Sequence, residues 1–516
     1  MSFNMKKIYY IIAALLLSMA ISSCGEKWLT VESHHQLRID EYYSTRDRIY
    51  EGLVAAYDPL QWFDWNGSQY SPIPLIFEVM ADDQYPGGAD INDNRQYHLM
   101  FNYIAEPTTI CGSVWTVAYS GINRANCVHM YMPGVTNISE AEKALFLAEA
   151  SVLRAYYYNI LWKLWGNIPY YETNLEPPYI CEQSTAADVY ANVIADLDNA
   201  IKNGGLPMKA AAGKEGRITY AAAAMLYAEM VMYQKDQSRY QTALDYMETI
   251  ITSGEYGLTD DLAGMWEPSG EWSSETIFDI NYFDDGAYRS WGSPLMAGGT
   301  VLPRLVGINE LKGSTKYQNG WGFGPMTKSA AQLFEEGDKR EAVTVYEPAV
   351  DEPAVTYTPR FQNTGYFNAK YLPRANGNTL QIADADLNFN NNIRIYRYAE
   401  TLLNAAELIA VHGCTGTGSA DDYLNQVRSR AGLTGVAANL ESILHERHLE
   451  FMGEGKRYWD LIRTGEASKV LVPANDLGDD NGDAHRTNSW TESKKYLPIP
   501  QTEIDAAHGT LTQNNY

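Results

Sequence analysis

The sequence predicts a mainly α-helical protein, an α–α superhelix of tetratricopeptide-like hairpins that carries long irregular loops. Several long segments begin with capping residues and continue with apolar residues at helical spacing. Alanine-rich stretches recur inside these segments, as in AEASVLRAYY, AAAAMLYAEM and AETLLNAAEL. Residues 60–103 and 256–390 instead combine Gly, Asn, Pro, Trp and Tyr with little helical period.

The first predicted helices are defined by their apolar stripe and their caps. Residues 42–61 place apolar side chains on one helical face. Ser139 and Glu142 form a capping box before a long helix that runs toward Trp165. Thr185 repeats the capping pattern before VYANVIADLDNAIKN. These segments therefore begin the helical series.

Further helices are predicted downstream, and they share small residues at helical spacing. They are Tyr220–Tyr233, Arg239–Ser253, Ile395–His412 and Ser419–Arg430. Alanine at such positions lets two antiparallel helices approach closely, as in tetratricopeptide-type hairpins. Clean Trp and Pro positions of that repeat are missing, so ordinary helix-bundle packing is the alternative.

The chain is divided by its change of character along the sequence. The predicted parts are a signal peptide at 1–23, a lipidated cysteine and tether at 24–40, an N-terminal helical region at 41–255 and a C-terminal region at 256–516, within which 256–390 is a loop insert and 394–465 holds helices. Long non-helical segments in a compact protein are usually functional, so the insert is a candidate ligand-binding region.

The N-terminus has the pattern of a bacterial lipoprotein export signal. Lys6 and Lys7 precede an apolar run, Ile8–Met19, which is too short to span a bilayer. The sequence Ile-Ser-Ser-Cys then matches a lipobox ending at Cys24. Lipidation of Cys24 would tether the remainder to a membrane surface outside the cytoplasm. An ordinary cleaved signal peptide with an incidental cysteine is the alternative.

Composition and charge limit the partners of the chain. Its 516 residues are 45% hydrophobic and 20% charged, as in a large globular protein. The formal net charge of −25 argues against nucleic acid and anionic lipid headgroups, so we expect membrane contact through the lipid anchor only. Cys111, Cys127, Cys181 and Cys414 do not form a disulfide framework, although one bridge remains open.

Six segments, in this order, resemble one known family. They are RAYYYNILWKLWGNIPYY (154–171), GRITYAAAAMLYAEMVMY (216–233), RYAETLLNAAELI (397–409), LNQVRSRAGL (424–433), ERHLEFMGEGKRYWDLIRTG (446–465) and YLPIPQTEID (496–505). Together with the lipobox, they resemble the SusD/RagB family of nutrient-binding lipoproteins. The resemblance extends from about residue 25 to the C-terminus.

This resemblance implies a location, a partner and a kind of site. SusD-like proteins are lipid-anchored at the outer membrane and face the cell exterior. Membership implies a helical fold whose loops form a solvent-facing site. It also implies a TonB-dependent outer-membrane transporter of the SusC type, over which the lipoprotein sits as a lid.

The family segment at 446–465 is interpreted as structural. Glu446, Glu450 and Glu454 recur at i, i+4 spacing, and arginines nearby can reach neighbouring faces. His445 and His448 are spaced i, i+3, whereas the zinc-protease motif requires i, i+4. The segment therefore predicts a core helix with bracing ion pairs, and no metal site.

No catalytic signature or cofactor is predicted, so we expect a protein that is not an enzyme. GxSxG, a P-loop and a complete GxGxxG are absent from the sequence. Adjacent acids at 82–83 and 284–285 leave a glycoside hydrolase as a distant alternative, because such enzymes need two carboxyls across a cleft. The acidic loop at 479–483 hints at structural calcium, but Trp490 stands where the closing Glu would be, which favours a solvated turn.

Aromatic usage points to binding. Tyr (38) and Trp (12) together far outnumber Phe (13), so most aromatic side chains have a polar tip. A flat ring covers the C–H face of a sugar, while polar side chains bond the hydroxyls at its rim. We therefore expect a glycan ligand, an oligo- or polysaccharide delivered to the transporter. A peptide or another nutrient, or a mainly structural lid, is the alternative.

Two loop regions supply the candidate ligand-binding residues. In the first they are Trp62, Trp65, Asp82, Asp83, Tyr85, Asn94 and Arg95. In the second they are Tyr288, Trp291, Trp321 and Phe323, with Tyr282, Asp284, Asp285 and Arg289 beside them. Core packing beneath a long loop is the alternative for each aromatic residue.

Overall fold

The computed structural model describes residues 38–67 and 69–516. The predicted mainly α-helical fold is confirmed. The predicted signal peptide and the lipidation of Cys24 lie outside the described residues. In the described part, no helix combines the length and apolar character that a membrane span requires. The four cysteines of this part are free thiols.

A short helix, α1 (Ile39–Tyr42), comes first, and the longer helices after it form the frame of the molecule. The longer helices are α2 (Arg46–Tyr57), α3 (Ile73–Met80), α4 (Arg95–Phe101), α5 (Gly112–Tyr131), α6 (Glu140–Trp165), α7 (Ala186–Asn203), α8 (Tyr220–Gln234) and α9 (Tyr240–Ser253), then α14 (Tyr398–Ala410), α15 (Ala420–Arg430), α16 (Leu440–Phe451) and α17 (Arg457–Thr464).

Short helices and strands lie mainly in the loop regions. The helices are α10 (Leu302–Val306), α11 (Lys328–Ala331), α12 (Glu341–Thr344), α13 (Pro348–Asp351), α18 (Ala467–Val470) and α19 (Gln501–Ala506). The strands pair as four two-stranded antiparallel ribbons: β1 (Trp65–Asn66) with β2 (Gln69–Tyr70), β3 (Ile168–Pro169) with β4 (Gln183–Ser184), β5 (Thr276–Ile280) with β8 (Ile393–Arg397), and β6 (Val345–Tyr346) with β7 (Phe367–Asn368).

The long helices pack as a series of neighbours. From α5 to α9, each helix contacts the one that follows it in this series. Helix α9 then contacts α14, and α14 packs on α15. Ala222, Ala223 and Ala228 on α8 are buried, so small side chains do line these contacts. At Gly121 on α5, a Cβ atom would collide with the ring of Tyr157 on α6. The helices can approach this closely only because the positions carry small residues.

Two predicted helix boundaries were wrong. The helix predicted to begin at Ile395 begins at Tyr398, because residues 393–397 form β8 instead. This strand is fully buried and pairs with β5, so long-range pairing outweighs the helical pattern. The first predicted helix ends at Tyr57, and a 3₁₀ helix that contains Pro59 follows.

A buried ion-pair cluster ties the C-terminal helices to the loop region. Its central residue is Glu450 on α16, whose carboxylate accepts hydrogen bonds from Arg430 (2.6 Å), Arg397 (2.8 Å) and Arg340 (3.2 Å). Burial disfavours ionisation of Glu450, but the three arginine charges outweigh it and hold its pKa well below the usual range. We call these four residues the Glu450 cluster. The predicted bracing ion pairs are present, and their partners come from distant segments. The predicted single core helix was wrong, because α16 ends at Phe451 and α17 begins at Arg457, with Gly453 and Gly455 at positive φ in the turn between them.

We expect Glu450→Gln to destabilise the protein by about 3–5 kcal/mol, because removing one charge leaves buried arginines without their shared partner. Urea unfolding followed by circular dichroism measures the change. Glu51→Gln is the matched control, since Glu51 pairs with Arg48 with both side chains about half exposed (51% and 47%). We expect the control to have a much smaller effect, because water and salt screen an exposed pair. Equal destabilisation of the two variants would contradict a stabilising role for the Glu450 cluster.

Candidate functional site

Four aromatic side chains from three separate segments meet at one surface. The ring centroids of Trp65 and Trp291 are 5.0 Å apart, and those of Tyr70 and Trp321 are 5.5 Å apart. Trp291 and Trp321 lie 6.2 Å apart with an angle of 23° between their planes. We call Trp65, Tyr70, Trp291 and Trp321 the aromatic surface. It joins residues from both loop regions that the sequence singled out.

A tight hairpin places two members of the aromatic surface side by side. β1 and β2 pair Trp65 with Tyr70 and Asn66 with Gln69. Gly67 lies in the turn with φ of +58°, a conformation that glycine adopts without steric cost. Directly opposed residues of an antiparallel pair have adjacent side chains. The hairpin therefore presents the two rings together.

A buried ion pair fixes the loop that carries Trp291 against this hairpin. Asp64 and Arg289 form two hydrogen bonds, of 2.6 and 2.8 Å, and both side chains are buried. Arg289 also donates to the carbonyl of Trp65 at 3.1 Å and to that of Gly299 at 2.9 Å. Asp64 accepts a further bond from the backbone N–H of Val301 at 2.9 Å. Because Asp64 precedes Trp65 and Arg289 lies two residues before Trp291, the pair aligns the two indoles.

Backbone hydrogen bonds hold the remaining tryptophans. The N–H of Trp291 donates to the carboxylate of Asp384 at 3.0 Å. The N–H of Trp321 donates to the carbonyl of Arg304 at 2.8 Å, and the side chain of Arg360 donates to the carbonyl of Trp321 at 2.6 Å. Both indoles are thus fixed through their own backbones, which leaves their rings free to contact a ligand.

Polar groups border the aromatic surface. Arg304 pairs with Asp386 at 2.6 Å, and both side chains keep some exposure. Burial, together with the negative charges of Asp93 and Asp386, raises the pKa of Tyr70 to about 12. The hydroxyl of Tyr70 therefore stays protonated at neutral pH and can donate or accept a hydrogen bond. Rings with polar groups at their border can hold a ligand that has an apolar face and a hydroxylated edge.

The aromatic surface opens to solvent on the side of the second loop region. Trp291 is 40% exposed and Tyr288, on the same loop, is 57% exposed. Other large apolar side chains of this region are also exposed: Phe283, Leu295, Met296, Leu380 and Ile382. Monomeric proteins rarely display so many apolar side chains from adjoining loops without an interaction to serve.

The structure brings together some of the predicted site residues. Trp65, Trp291 and Trp321 lie in the aromatic surface, and Tyr288 shares the loop of Trp291. Trp65 is only 8% exposed, so it packs against Trp291 as a support and does not itself offer an open face. Arg95 is exposed at the start of α4, and Asn94 precedes it with φ of +50°. Of the residues beside the second set, Arg289 acts by positioning Trp291.

Other candidates are buried and do not reach the aromatic surface, which corrects their prediction as ligand contacts. Trp62 lies in the 3₁₀ helix after α2, with the guanidinium of Arg124 over its ring at 4.6 Å. Tyr282 is buried and donates to the carbonyl of Gln61 at 3.3 Å. Asp284 is buried and accepts from the backbone N–H of Leu380, whereas Asp285 is exposed.

Tyr85 and Phe323 are buried because their two loops pair with each other. The N–H of Tyr85 donates to the carbonyl of Pro325 at 2.9 Å, and the N–H of Gly88 donates to that of Gly322 at 2.9 Å. The hydroxyl of Tyr85 donates to Asp476. The two loops approach so closely that these rings point into the protein interior.

Asp82 and Asp83 belong to an ion-pair group rather than to the aromatic surface. Asp82 accepts from Arg457 at 3.0 and 3.1 Å, and Asp83 bonds His448 at 2.7 Å. One ligand atom from each of Asp82, Asp83 and His448 lies within 4.8 Å of the others, which is close enough for a metal ion. However, Arg457 already occupies both oxygens of Asp82, and its positive charge opposes a cation there. The geometry is that of a structural ion-pair group.

The acidic loop at 479–483 bonds mainly to itself. The Asp479 carboxylate accepts from the backbone N–H of Asn481 at 2.8 Å and of Asp483 at 3.2 Å. Its second oxygen bonds His485 at 3.0 Å. These are the bonds of a closed turn, in which Asp479 itself is buried.

Sequence reasoning missed Tyr70 and Asp386. Tyr70 could have been found, because Gly67-Ser68 is a sequence signal for a two-residue hairpin loop, and that loop sets Trp65 opposite Tyr70. Asp386 carried no signal, since only the folded loop brings it near Tyr70. A frame of packed helices with aromatic rings and polar groups on its loops defines the class: a helical protein with a solvent-facing ligand surface.

Comparison with known proteins gives the family. The SusD family model matches residues 351–516, and a model described as starch-binding associating with outer membrane matches residues 27–229. A surface glycan-binding protein A from Bacteroides thetaiotaomicron, in complex with laminarihexaose, is 48% identical, with 92% of this chain and 100% of that chain covered and a TM-score of 0.86.

Two further relatives are more distant. A laminarin binding SusD-like protein of known structure is 28% identical, with 92% of this chain and 99% of that chain covered and a TM-score of 0.80. SusD-like protein P38 of Formosa agariphila is 25% identical over 90% of this chain and 93% of its own length. The chain belongs to the SusD family.

We expect Arg289→Met to destabilise the protein by about 3–5 kcal/mol, because it leaves the Asp64 carboxylate buried without its partner. Loss of the pair should also free the loop of Trp291 and make tryptophan fluorescence easier to quench with acrylamide. Arg239→Met is the control, since Arg239 makes only a long, partly exposed pair with Asp236 at 3.7 Å. Unchanged quenching and stability in Arg289→Met would contradict the positioning role of the ion pair.

We expect the contribution of Asp82 to stability to depend on pH. Burial opposes its ionisation, but the charges of Arg457 and His448 outweigh burial and lower its pKa from 3.8 to about 2. A lowered folded-state pKa stabilises the protein above pH 4, and this stabilisation is lost as the pH falls toward 2.

The measurement is the difference in unfolding free energy between the wild type and Asp82→Asn. It should shrink by about 2 kcal/mol between pH 5 and pH 2. Asp47→Asn, at a carboxylate that is 85% exposed, serves as the control and should show a small difference throughout. A difference for Asp82→Asn that is independent of pH would contradict the assignment.

Proposed function

We propose that this protein binds a glycan at the aromatic surface, and that its ligand is a laminarin-type β-glucan. The observation that carries the proposal is the meeting of four aromatic rings at a surface bordered by polar groups, where Trp291 is exposed, Tyr70 and Trp321 are half-buried and Trp65 is buried. The identity of 48% to a glycan-binding protein in complex with laminarihexaose supports the same ligand class.

The chemistry of the surface suits a sugar. Indole and phenol rings cover the C–H face of a pyranose, and this contact removes apolar area from water on both partners. The hydroxyl of Tyr70 and the Arg304–Asp386 pair supply hydrogen-bonding groups for the hydroxyls of a sugar. A charge-lined cleft, which would favour a peptide, is not what these rings form.

The angles between the rings favour a curved chain. Trp65 meets Trp291 at 77°, and Tyr70 meets Trp321 at 62°. Such planes form a folded surface rather than a flat one. A flat, extended glucan would contact one ring at a time, whereas a chain that turns as it advances, as β-1,3-linked glucose does, can face several rings in succession.

The wider role follows from the leader and the family. We propose that Cys24 is lipidated, that the protein is anchored in the outer membrane and faces the cell exterior, and that it delivers glycan to a SusC-like TonB-dependent transporter. The lipobox and a family description that mentions the outer membrane support this role. We propose no catalytic step, since the carboxylates beside the aromatic surface are engaged in hydrogen bonds and ion pairs.

We expect Trp291→Ala and Trp321→Ala each to weaken binding of laminarihexaose at least about tenfold, or about 1.4 kcal/mol, because each removes a stacking face. Isothermal titration calorimetry measures the affinity. Trp272→Ala is the matched control, since Trp272 is also partly exposed but belongs to another part of the surface.

The outcomes separate the candidate functions. Unchanged affinity in both variants would remove the aromatic surface as the binding site. Failure of the wild-type protein to bind laminarihexaose, laminarin or any other tested polysaccharide would favour a structural lid. Release of shorter sugars from laminarin by the purified protein would overturn the non-catalytic assignment.

A further inference from the structure

A second cleft lies outside the aromatic surface. Its volume is about 420 Å³, within the range of small-ligand sites. Three segments line it: the α5 face at 115–123, the loop at 169–181 and the C-terminal residues 503–511. No member of the aromatic surface contributes to it.

Aromatic rings form one wall of this cleft. The centroids of Trp115 and Tyr119 are 5.1 Å apart, and those of Tyr119 and Tyr171 are 5.9 Å apart with an angle of 17° between their planes. The hydroxyl of Tyr119 donates to the carbonyl of Pro169 at 2.7 Å, which fixes its ring. The wall is therefore continuous from α5 to the loop at 169–181.

Tyr179 stands at the mouth of the cleft in a conformation that is unusual for its type. Its side chain is 69% exposed, the largest exposed fraction among the large apolar side chains of the described residues. Its backbone has φ of +61°, which costs energy in a residue with a Cβ. The packing of the core does not explain a large ring held outward in this way, whereas contact with a ligand would.

The polar lining is acidic and amide-like, and among the described residues no Lys, Arg or His lines the cleft. Glu503 is half-buried and lines the cleft together with Trp115. Asn123, Ser120 and the half-buried Tyr171 also lie in the lining. A carboxylate, an amide and hydroxyls beside aromatic rings suit a neutral polyol, and the charge of Glu503 disfavours an anionic one.

The same helix borders both sites. At the start of α5, the N–H of Ser113 donates to the side chain of Gln69 at 3.0 Å, and Gln69 is next to Tyr70 in β2. Tyr119 and Asn123 follow along α5 and line the cleft. At a rise of 1.5 Å per residue, Tyr119 and Asn123 lie about 9 and 15 Å along α5 from Ser113, which is a distance that a glycan chain of several residues can span.

We propose that this cleft is a second saccharide-binding site, which takes one or two neutral sugar residues. The proposal rests on the proposed function and extends it, because two linked contacts on one chain bind far more tightly than either alone. The sugar residues could belong to the glycan that occupies the aromatic surface or to another chain, and the test distinguishes these sources.

The test uses the Trp291→Ala/Trp321→Ala double variant, in which the aromatic surface is disabled. Saturation-transfer NMR with laminaribiose, cellobiose and maltose should still detect binding of at least one of them. Tyr179→Ala and Glu503→Gln, added to the double variant, should each lower that remaining affinity about tenfold. Asp505→Asn is the control for Glu503→Gln, since Asp505 is an exposed carboxylate on the same helix.

In otherwise wild-type protein, Tyr179→Ala should weaken binding of laminarin more than binding of laminaribiose if one chain spans both sites. An equal effect on both would indicate separate chains and would leave the second site standing. Tyr179 is exposed, so its replacement cannot unfold the protein through loss of packing.

Three results would overturn the second site. The first is that the double variant binds no disaccharide while the wild type binds laminarihexaose. This result would leave the proposed function intact. Another is residual binding that neither Tyr179→Ala nor Glu503→Gln changes. The third is binding of choline but of no saccharide, which would identify a cation site. If the wild type binds no glycan at all, the proposed function fails instead.

Discussion

The binding surface depends on one buried interaction, the pair of hydrogen bonds between Asp64 and Arg289. Asp64 is next to Trp65, and Arg289 lies two positions before Trp291; both tryptophans belong to the aromatic surface. Isolated charges in the interior would cost several kcal/mol each, so neither residue can move without the other. The remaining donors of Arg289 are satisfied by carbonyls of Trp65, Pro294 and Gly299. A flexible loop thereby acquires the fixed geometry that ligand recognition requires.

The Glu450 cluster performs a comparable task for the frame. Its arginines come from the loop insert, from β8 and from α15, and all reach one carboxylate on α16. A buried ion-pair cluster contributes less to stability than an apolar core of equal volume, but it admits one arrangement of its partners. We infer that the cluster determines how the irregular region is seated on the helices.

Much of the fold could be predicted from the sequence, and less of the site. Capping residues and apolar stripes are local signals, so Ser139 and Thr185 marked the starts of α6 and α7 correctly. Whether an aromatic side chain in a loop is buried depends on residues that are distant in the sequence. No local pattern therefore distinguishes Trp62, which is covered by α5, from Trp291, which is exposed. Tyr85 and Phe323 were misjudged for the same reason, because they are buried by pairing between loops far apart in sequence.

The separation of 225 residues between Asp64 and Arg289 has a consequence for how the chain acquires its structure. Contacts this distant form late, because the entropy of closing so long a loop must be overcome before they contribute. The helices at the N-terminal end can form from neighbouring residues, whereas the tryptophans align only after the second half of the chain has emerged. A chain interrupted before residue 289 would fold its first hairpins and still lack the surface on which recognition depends.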